Sequence, residues 1–204
     1  MNVGDSVACA IDDFEAKKID SSLLHACNAV DGTASKLARS KQGNKERFTA
    51  FLRDYYWLLE PMVTPGINLV DTRFGNISLA NNPAPDLADI VYKEFRCRHA
   101  HGQEVPPNLS LLRGPRITEE GPFQVMALGE GILNILDSLC MGLVAAAVLS
   151  PENRDQTTTP GHWFSLGGVQ YSLNEWWGRA EDFRPIAASH NLVRVKLEGL
   201  EDWS

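Results

Sequence analysis

The stretch Phe95-Arg96-Cys97-Arg98-His99-Ala100-His101-Gly102 concentrates two arginines and two histidines within eight residues. Upstream of it, apolar residues recur at helical spacing from Leu87 to Phe95, while Gly102 and the Pro106-Pro107 pair supply stop signals. The pattern predicts a helix from Asp86 to about Ala100 that carries the cluster on its last turn. Because the free carbonyls at a helix C-terminus favour cations, a histidine there is suited to acid-base chemistry near neutral pH.

Three further segments show the periodicity or the apolar content of helices. Asp12 to Ser40 carries a long apolar stripe. In Asn44 to Val63, Asn44 is a candidate cap and Pro61 is expected to mark the end of the helix. We expect these two helices to pack as an antiparallel hairpin across the turn Lys41-Gln42-Gly43. The apolar segment Gly129 to Leu149 is predicted to be a fourth, buried helix.

The β structure is expected in short pieces, mostly in the second half of the chain. Gly167-Gly168 is a strong hairpin signal between two candidate strands, Trp163 to Leu166 and Val169 to Leu173. The remaining predicted elements are strands at Ile67 to Val70, Leu109 to Leu112, Phe123 to Leu128 and Leu192 to Leu197, and a short helix at Glu175 to Ala188. The predicted fold class is therefore α+β and mainly α. It is a bundle of about four main helices with a small antiparallel β element in the C-terminal half.

Composition sets limits on domain number and on partners. The length of 204 residues and the 44% apolar content predict one domain over residues 1–204, with a helical core over about 12–150 and a β-containing extension over about 151–204. The formal net charge of −7 argues against broad electrostatic binding of nucleic acid, although it leaves room for a local basic site.

Cellular location and metal binding are judged from the cysteines and the apolar segments. Four scattered cysteines, with no metal-ligand spacing, are expected to be reduced and mostly buried thiols of a cytoplasmic protein. The N-terminus does not have the pattern of a signal peptide, and the most apolar segment, Ile132 to Leu149, carries Asn134 and Asp137. We therefore expect no membrane span, and the sequence predicts neither a metal site nor a cofactor.

The helix-end cluster resembles the signature of the HEPN superfamily. Arg96, four intervening residues and His101 are similar to its Arg-x(4–6)-His motif. Tyr92-Lys93-Glu94-Phe95 before the arginine and Gly102 after the histidine are similar to the surroundings of that motif in bacterial members. Asp31 with Lys36 and the segment Glu46 to Leu52 also look like the flanking helices, so that the resemblance covers roughly residues 23–102. Cys97 departs from the asparagine or aspartate that many members carry directly after the arginine.

The resemblance implies a homodimer in which two copies of the motif face each other and cut RNA without metal. Arg96 and His101 would be the catalytic pair, with His99, Arg98 and Asp31 as candidate supporting residues. The implied biological setting is a toxin or phage-defence system, with an antitoxin-like protein as a candidate partner. Because many HEPN proteins are inactive scaffolds, the alternative is a noncatalytic dimeric module that binds nucleotide, RNA or a protein.

Simpler roles compete with catalysis at each of these residues. His101 would cap the helix by hydrogen bonding to the last carbonyls, or His99 would be the functional histidine in its place. Arg98 and His99 would lie on the solvated or the neighbouring face of the helix. Asp31 would form an interhelical ion pair with Arg47 or Arg53 in preference to orienting the cluster.

Overall fold

The computed structural model describes residues 2–37, 43–75, 77, 79, 82–98, 101–102, 106–112, 126–129 (backbone only) and 132–190. Within them are eight α-helices, namely α1 Val3–Glu15, α2 Ile19–Lys36, α3 Asn44–Asp54, α4 Tyr56–Val63, α5 Leu87–Ile90, α6 Ser138–Leu149, α7 Leu173–Trp176 and α8 Ala180–Ser189. A π-helix, Val91–Cys97, continues α5, and a 3-10 turn, Pro151–Asn153, follows α6. The strands are β1 Leu109–Leu112, β2 Met126–Gly129, β3 Ile132–Leu136, β4 Trp163–Leu166 and β5 Val169–Ser172.

The α+β, mainly α class is confirmed, with more helices than the four expected. Helix α6 lies at the centre of the molecule: ten of its 12 residues are buried, and it packs against α1, α2 and α4. This burial explains why α6 is apolar on every face. The core is one contiguous cluster of side chains that includes Val3 of α1 and Ala187 of α8. The C-terminal β-containing part therefore shares its core with the helices.

The β structure forms two small sheets. Strand β3 lies between β1, to which it is parallel, and β2, to which it is antiparallel. Strands β4 and β5 form the predicted antiparallel hairpin, with Gly167 and Gly168 both at positive φ in the turn. The hairpin prediction is confirmed, and the strand at Leu109–Leu112 has the predicted bounds.

Two of the predicted long helices are each divided in two. The helix expected from Asp12 to Ser40 is broken at Lys17, whose backbone is left-handed with φ 61°. Around it the N–H of Lys18 donates to the carbonyl of Asp13, as at many helix C-termini. Glycine is the usual sequence signal for that geometry. Because lysine occupies the position here, the sequence does not indicate that the helix breaks at this point. The helix expected from Asn44 to Val63 breaks at Tyr55, and Pro61 lies inside α4 instead of ending it.

Three other element predictions were wrong. Ile132–Leu136 is strand β3 and does not begin the fourth helix, because a short continuous apolar run fits a buried strand as well as a helix. The helix expected at Glu175 to Ala188 is two helices separated at Gly178, which has φ 74°. Residues 67–70 lie in a loop rather than a strand. The predicted strand at Leu192 to Leu197 lies outside the described residues, as do parts of the Lys41-Gln42-Gly43 turn and of the strand at Phe123 to Leu128.

Of the four cysteines, Cys27 and Cys140 are buried, while Cys9 and Cys97 are partly exposed, and all four are free thiols. Among the helices of the described residues, none combines the length and the hydropathy needed to cross a bilayer.

Candidate functional site

The helix that carries the Arg/His cluster begins at a well-defined cap. The side chain of Asp86 accepts a hydrogen bond of 3.0 Å from the amide of Asp89, which satisfies a free donor of the first turn. Four residues of α-helix follow, and then the chain continues as the π-helix Val91–Cys97. The π winding includes Arg96 and was not predicted by the periodicity. Such segments are rare and occur frequently at functional sites.

Arg96 is held in place by groups of its own chain. Its Nη2 donates to Oδ2 of Asp31 on α2 over 2.8 Å, with 24% and 30% of the two side chains exposed. The hydrogen bond to Asp31 raises the pKa of Arg96, although burial acts in the opposite direction. The guanidinium carbon also lies 5.7 Å from the centre of the Tyr92 ring, which is within the range of a cation–π contact.

The position of Tyr92 is fixed by α3. Its ring packs edge-on against Phe48, with the ring centres 5.4 Å apart. Phe48 is fully buried, so the contact ties the π-helix to the core. Arg96 therefore lies between a carboxylate of α2 and an aromatic ring supported by α3. Its Nε atom is shielded from solvent and has no hydrogen-bond partner among the described residues.

Arg98 was expected on the solvated or the neighbouring face of the helix, and 32% of its side chain is exposed. It forms an ion pair with Glu94, four residues earlier on the same helix. Only 5% of the Glu94 side chain is exposed, so Arg98 neutralises a buried carboxylate. This role accounts for Arg98 without any part in a reaction.

His101 lies just beyond the helix and is exposed. Its backbone N–H donates to the carbonyls of Cys97 and Arg98 over 3.2 and 3.0 Å. The main chain of His101 thus closes the helix end, which leaves the imidazole open to solvent. Gly102 follows in the left-handed conformation with φ 63°. This is the conformation expected of a glycine that ends a helix. His99 lies outside the described residues.

The ion pair expected between Asp31 and either Arg47 or Arg53 does not form. Arg53 on α3 instead donates from Nε to Asp86 over 2.7 Å and from Nη2 to Asp89 over 3.1 Å. Helix α2 packs against both α3 and the π-helix, but the guanidinium of Arg53 is occupied by Asp86 and Asp89 at the start of α5. Asp31 therefore reaches Arg96.

The cluster around Arg53 was missed by sequence reasoning. Asn82 donates to Asp89 over 3.0 Å, and Lys45 lies 3.7 Å from the same carboxylate. The available signal was a pair of aspartates three residues apart at a helix start. Burial raises the pKa of Asp86, but the ion pair with Arg53 and the amide of Asp89 outweigh it and hold that pKa below its ordinary value. The network joins α3 to α5 and so fixes the helix that carries Arg96.

Within the part of the chain that the structure describes, there is no group of three or more histidine, cysteine or acidic side chains that could hold a metal ion.

Comparison with known proteins identifies relatives of the whole chain. Uncharacterized protein Mb1320 of Mycobacterium bovis and uncharacterized protein Rv1289 of Mycobacterium tuberculosis are each 32% identical to it over 210 residues. These matches cover 98% of this chain and 93% of each relative. No solved structure matches the chain. A sequence model of the Rv1289 family matches residues 2–203, and the chain belongs to the Rv1289 family.

Proposed function

We propose that this protein is a metal-independent endoribonuclease of the HEPN type, with Arg96 and His101 as its catalytic pair. The observation that carries the proposal is the arrangement at the end of the π-helix. A guanidinium positioned by Asp31 and Tyr92 is followed by an exposed imidazole at the motif spacing. A positioned cation and a solvent-accessible acid-base group are the two elements that cleavage of RNA requires from a protein.

The chemistry follows from RNA carrying its own nucleophile. In the proposed reaction His101 takes the proton of the 2′-hydroxyl, whose oxygen attacks the adjacent phosphorus. The bond from phosphorus to the 5′-oxygen breaks, and that oxygen takes a proton from water, which leaves a 2′,3′-cyclic phosphate and a 5′-hydroxyl. Arg96 stabilises the negative charge that builds up on the phosphate. Preorganisation of the guanidinium by Asp31 lowers the reorganisation needed during the reaction.

We infer further that two chains contribute to the site. The Asp31 carboxylate offsets part of the charge of Arg96, so one motif alone presents a weak field to a phosphate. A two-fold partner would bring a second Arg96 to the same cleft. Sedimentation at micromolar concentration is expected to give a homodimer. A monomer would contradict the composite site.

Variants of the cluster test the proposal directly. His101→Ala and Arg96→Ala are each expected to reduce RNA cleavage by about a hundredfold or more. Lys93→Ala removes an exposed cation from the same π-helix and is expected to leave cleavage unchanged, while His99→Ala should have a smaller effect than His101→Ala. Cleavage should continue in EDTA. A wild-type protein that cuts no RNA, or an Arg96→Ala variant that cuts as well as wild type, would defeat the proposal.

A second candidate function is the noncatalytic binding module for nucleotide, RNA or a protein. It is favoured by the ion pairs of the cluster, since Arg96 and Arg98 each already contact a carboxylate of their own chain. Titration of a fluorescent single-stranded RNA separates the two functions. Binding that depends on Arg96, without cleavage over long incubation, would favour the module.

The proposed setting is the bacterial cytoplasm, in a toxin or phage-defence system with an antitoxin-like partner. Induced expression in a bacterial host is expected to arrest growth with the wild-type chain and not with His101→Ala. Equal growth of the two strains, at equal protein levels, would contradict a toxin role.

A further inference from the structure

A cavity of about 660 Å³ lies apart from the Arg/His cluster and shares no lining residue with it. It is formed where the end of α1, the end of α4, the start of α6 and the strand β4 come together. Its volume lies within the range of sites that enclose a small organic molecule.

The walls are largely apolar and suited to a flat ligand. They include the rings of Phe14 and Trp163 and the thioethers of Met62 and Met141. Trp163 is 39% exposed, although a large aromatic side chain is normally covered. Aromatic faces and methionine sulfur make favourable contacts with aromatic groups and with organic cations.

The charged residues of the lining favour a cation. Two carboxylates, Glu15 and Asp137, line the cavity together with one ammonium group, Lys17. No ion-pair partner of Glu15 or Lys17 lies within 4 Å among the described residues. The whole chain carries a formal net charge of −7, which adds to the preference for a positively charged ligand.

Two local features support a binding role for this place. The Oγ atom of Ser138, in the wall, is shielded from solvent and has no hydrogen-bond partner among the described residues. Lys17 is the one non-glycine residue of the described chain with a left-handed backbone. Non-glycine residues held in this conformation tend to occur at ligand sites.

We propose that this cavity binds an amphipathic organic cation, with a flat apolar body packed between Phe14 and Trp163 and a protonated amine near Glu15. The body replaces water against the aromatic and thioether walls. The amine is attracted by the carboxylates of the lining and by the indole face. This site is independent of the proposed nuclease function, and its test does not involve RNA.

The test compares three probes that share one aromatic body: 2-(2-naphthyl)ethylamine, 2-naphthaleneacetate and 2-(2-naphthyl)ethanol. Calorimetry or ligand-observed NMR on the full chain is expected to show the amine binding about tenfold or more tightly than the other two. Glu15→Gln should weaken amine binding about threefold or more, a loss of the size expected for one partly screened charge. Glu175→Gln, which removes an exposed carboxylate outside the cavity, should not.

A blocking variant completes the design. Ser165 lies on the exposed face of β4 and lines the cavity, so Ser165→Trp should fill the entrance, leave the core intact and abolish amine binding. Thermal unfolding checks that the variant is folded. The proposal would be overturned by any of three results: no binding of the amine at about 1 mM, equal or tighter binding of the acid, or undiminished binding by a folded Ser165→Trp variant.

Discussion

The Arg96 guanidinium and the Asp31 carboxylate lie 2.8 Å apart and join the π-helix to α2. The contact links residues 65 positions apart in the chain. It holds Arg96 in one defined position against a carboxylate of its own chain. Under the proposed function, the stability of this helix end and RNA cleavage would depend on the same pair.

The first prediction concerns the strength of this pair. Asp31→Ala should lower the free energy of unfolding by about 1 kcal/mol, because Arg96 then keeps its burial without its partner. The control is Glu181→Ala, which breaks the well-exposed pair with Arg184 and should cost less than about 0.5 kcal/mol. Urea unfolding of both variants checks the difference. Equal effects of the two substitutions would show that the Arg96–Asp31 pair contributes no more than a surface contact.

The second prediction concerns pH. The pKa of Asp86 lies below its ordinary value of 3.8 in the folded chain, so its ion pair stabilises the fold at pH values above 3.8. That contribution is lost as the pH falls through the lowered pKa of the folded state. Asp86→Asn should cost about 2 kcal/mol at neutral pH, since it leaves Arg53 without its closest carboxylate.

The measurement is thermal unfolding of wild type and Asp86→Asn between neutral pH and acid. The stability gap between them is expected to close as the pH falls below about 4, because wild type alone loses the contribution of Asp86. A gap that stays constant over this interval would contradict the role given to Asp86.

The third prediction concerns the thiols. Burial raises the pKa of Cys140 to about 12 and also raises that of Cys27, so neither forms appreciable thiolate at pH 8. A disulfide reagent should therefore modify the partly exposed Cys9 and Cys97 first. Mass spectrometry of the partly labelled protein identifies the sites. Early labelling of Cys27 or Cys140 in the folded protein would be inconsistent with their burial.

The fourth prediction concerns the break between α1 and α2. Lys17→Gly should raise the free energy of unfolding by up to about 1 kcal/mol, because glycine adopts the left-handed backbone without the penalty that lysine incurs. Lys18→Gly is the matched control, since Lys18 has negative φ and its substitution should be neutral or destabilising. A lower free energy of unfolding for Lys17→Gly, with no such loss for Lys18→Gly, would contradict the backbone penalty assigned to Lys17.

The sequence predicted those parts of the fold that have local signals. Gly167-Gly168 specifies its hairpin, and Gly102 ends its helix, because each glycine occupies a left-handed position. Strand β3 was predicted to be helical because a short continuous apolar run fits a buried strand as well as a helix, and its parallel partner β1 lies about twenty residues earlier in the chain. The break at Lys17 was missed because lysine occupies a position where glycine is the usual signal.

At the candidate site, too, local sequence signals predict some features and not others. The position of Arg96 and His101 at a helix end follows from the stop signals around Gly102. The partner of Asp31 does not, because α2 packs against both α3 and the π-helix, and the choice depends on Arg53 being taken up by Asp86 and Asp89 in the folded chain. Helical periodicity also does not distinguish the π-helix Val91–Cys97 from an α-helix. The apolar residues of this segment recur at the spacing of an ordinary helix.

The chemistry of the ends of cleaved RNA tests the central claim most directly. If His101 activates the 2′-hydroxyl and Arg96 stabilises the phosphate, RNA incubated with the wild-type chain in EDTA should yield 5′-hydroxyl ends and 2′,3′-cyclic phosphate ends. His101→Ala prepared in parallel should yield about a hundredfold less of both. Products with 5′-phosphate and 3′-hydroxyl ends, undiminished cleavage by His101→Ala, or no cleavage by the wild-type chain would contradict the proposed reaction.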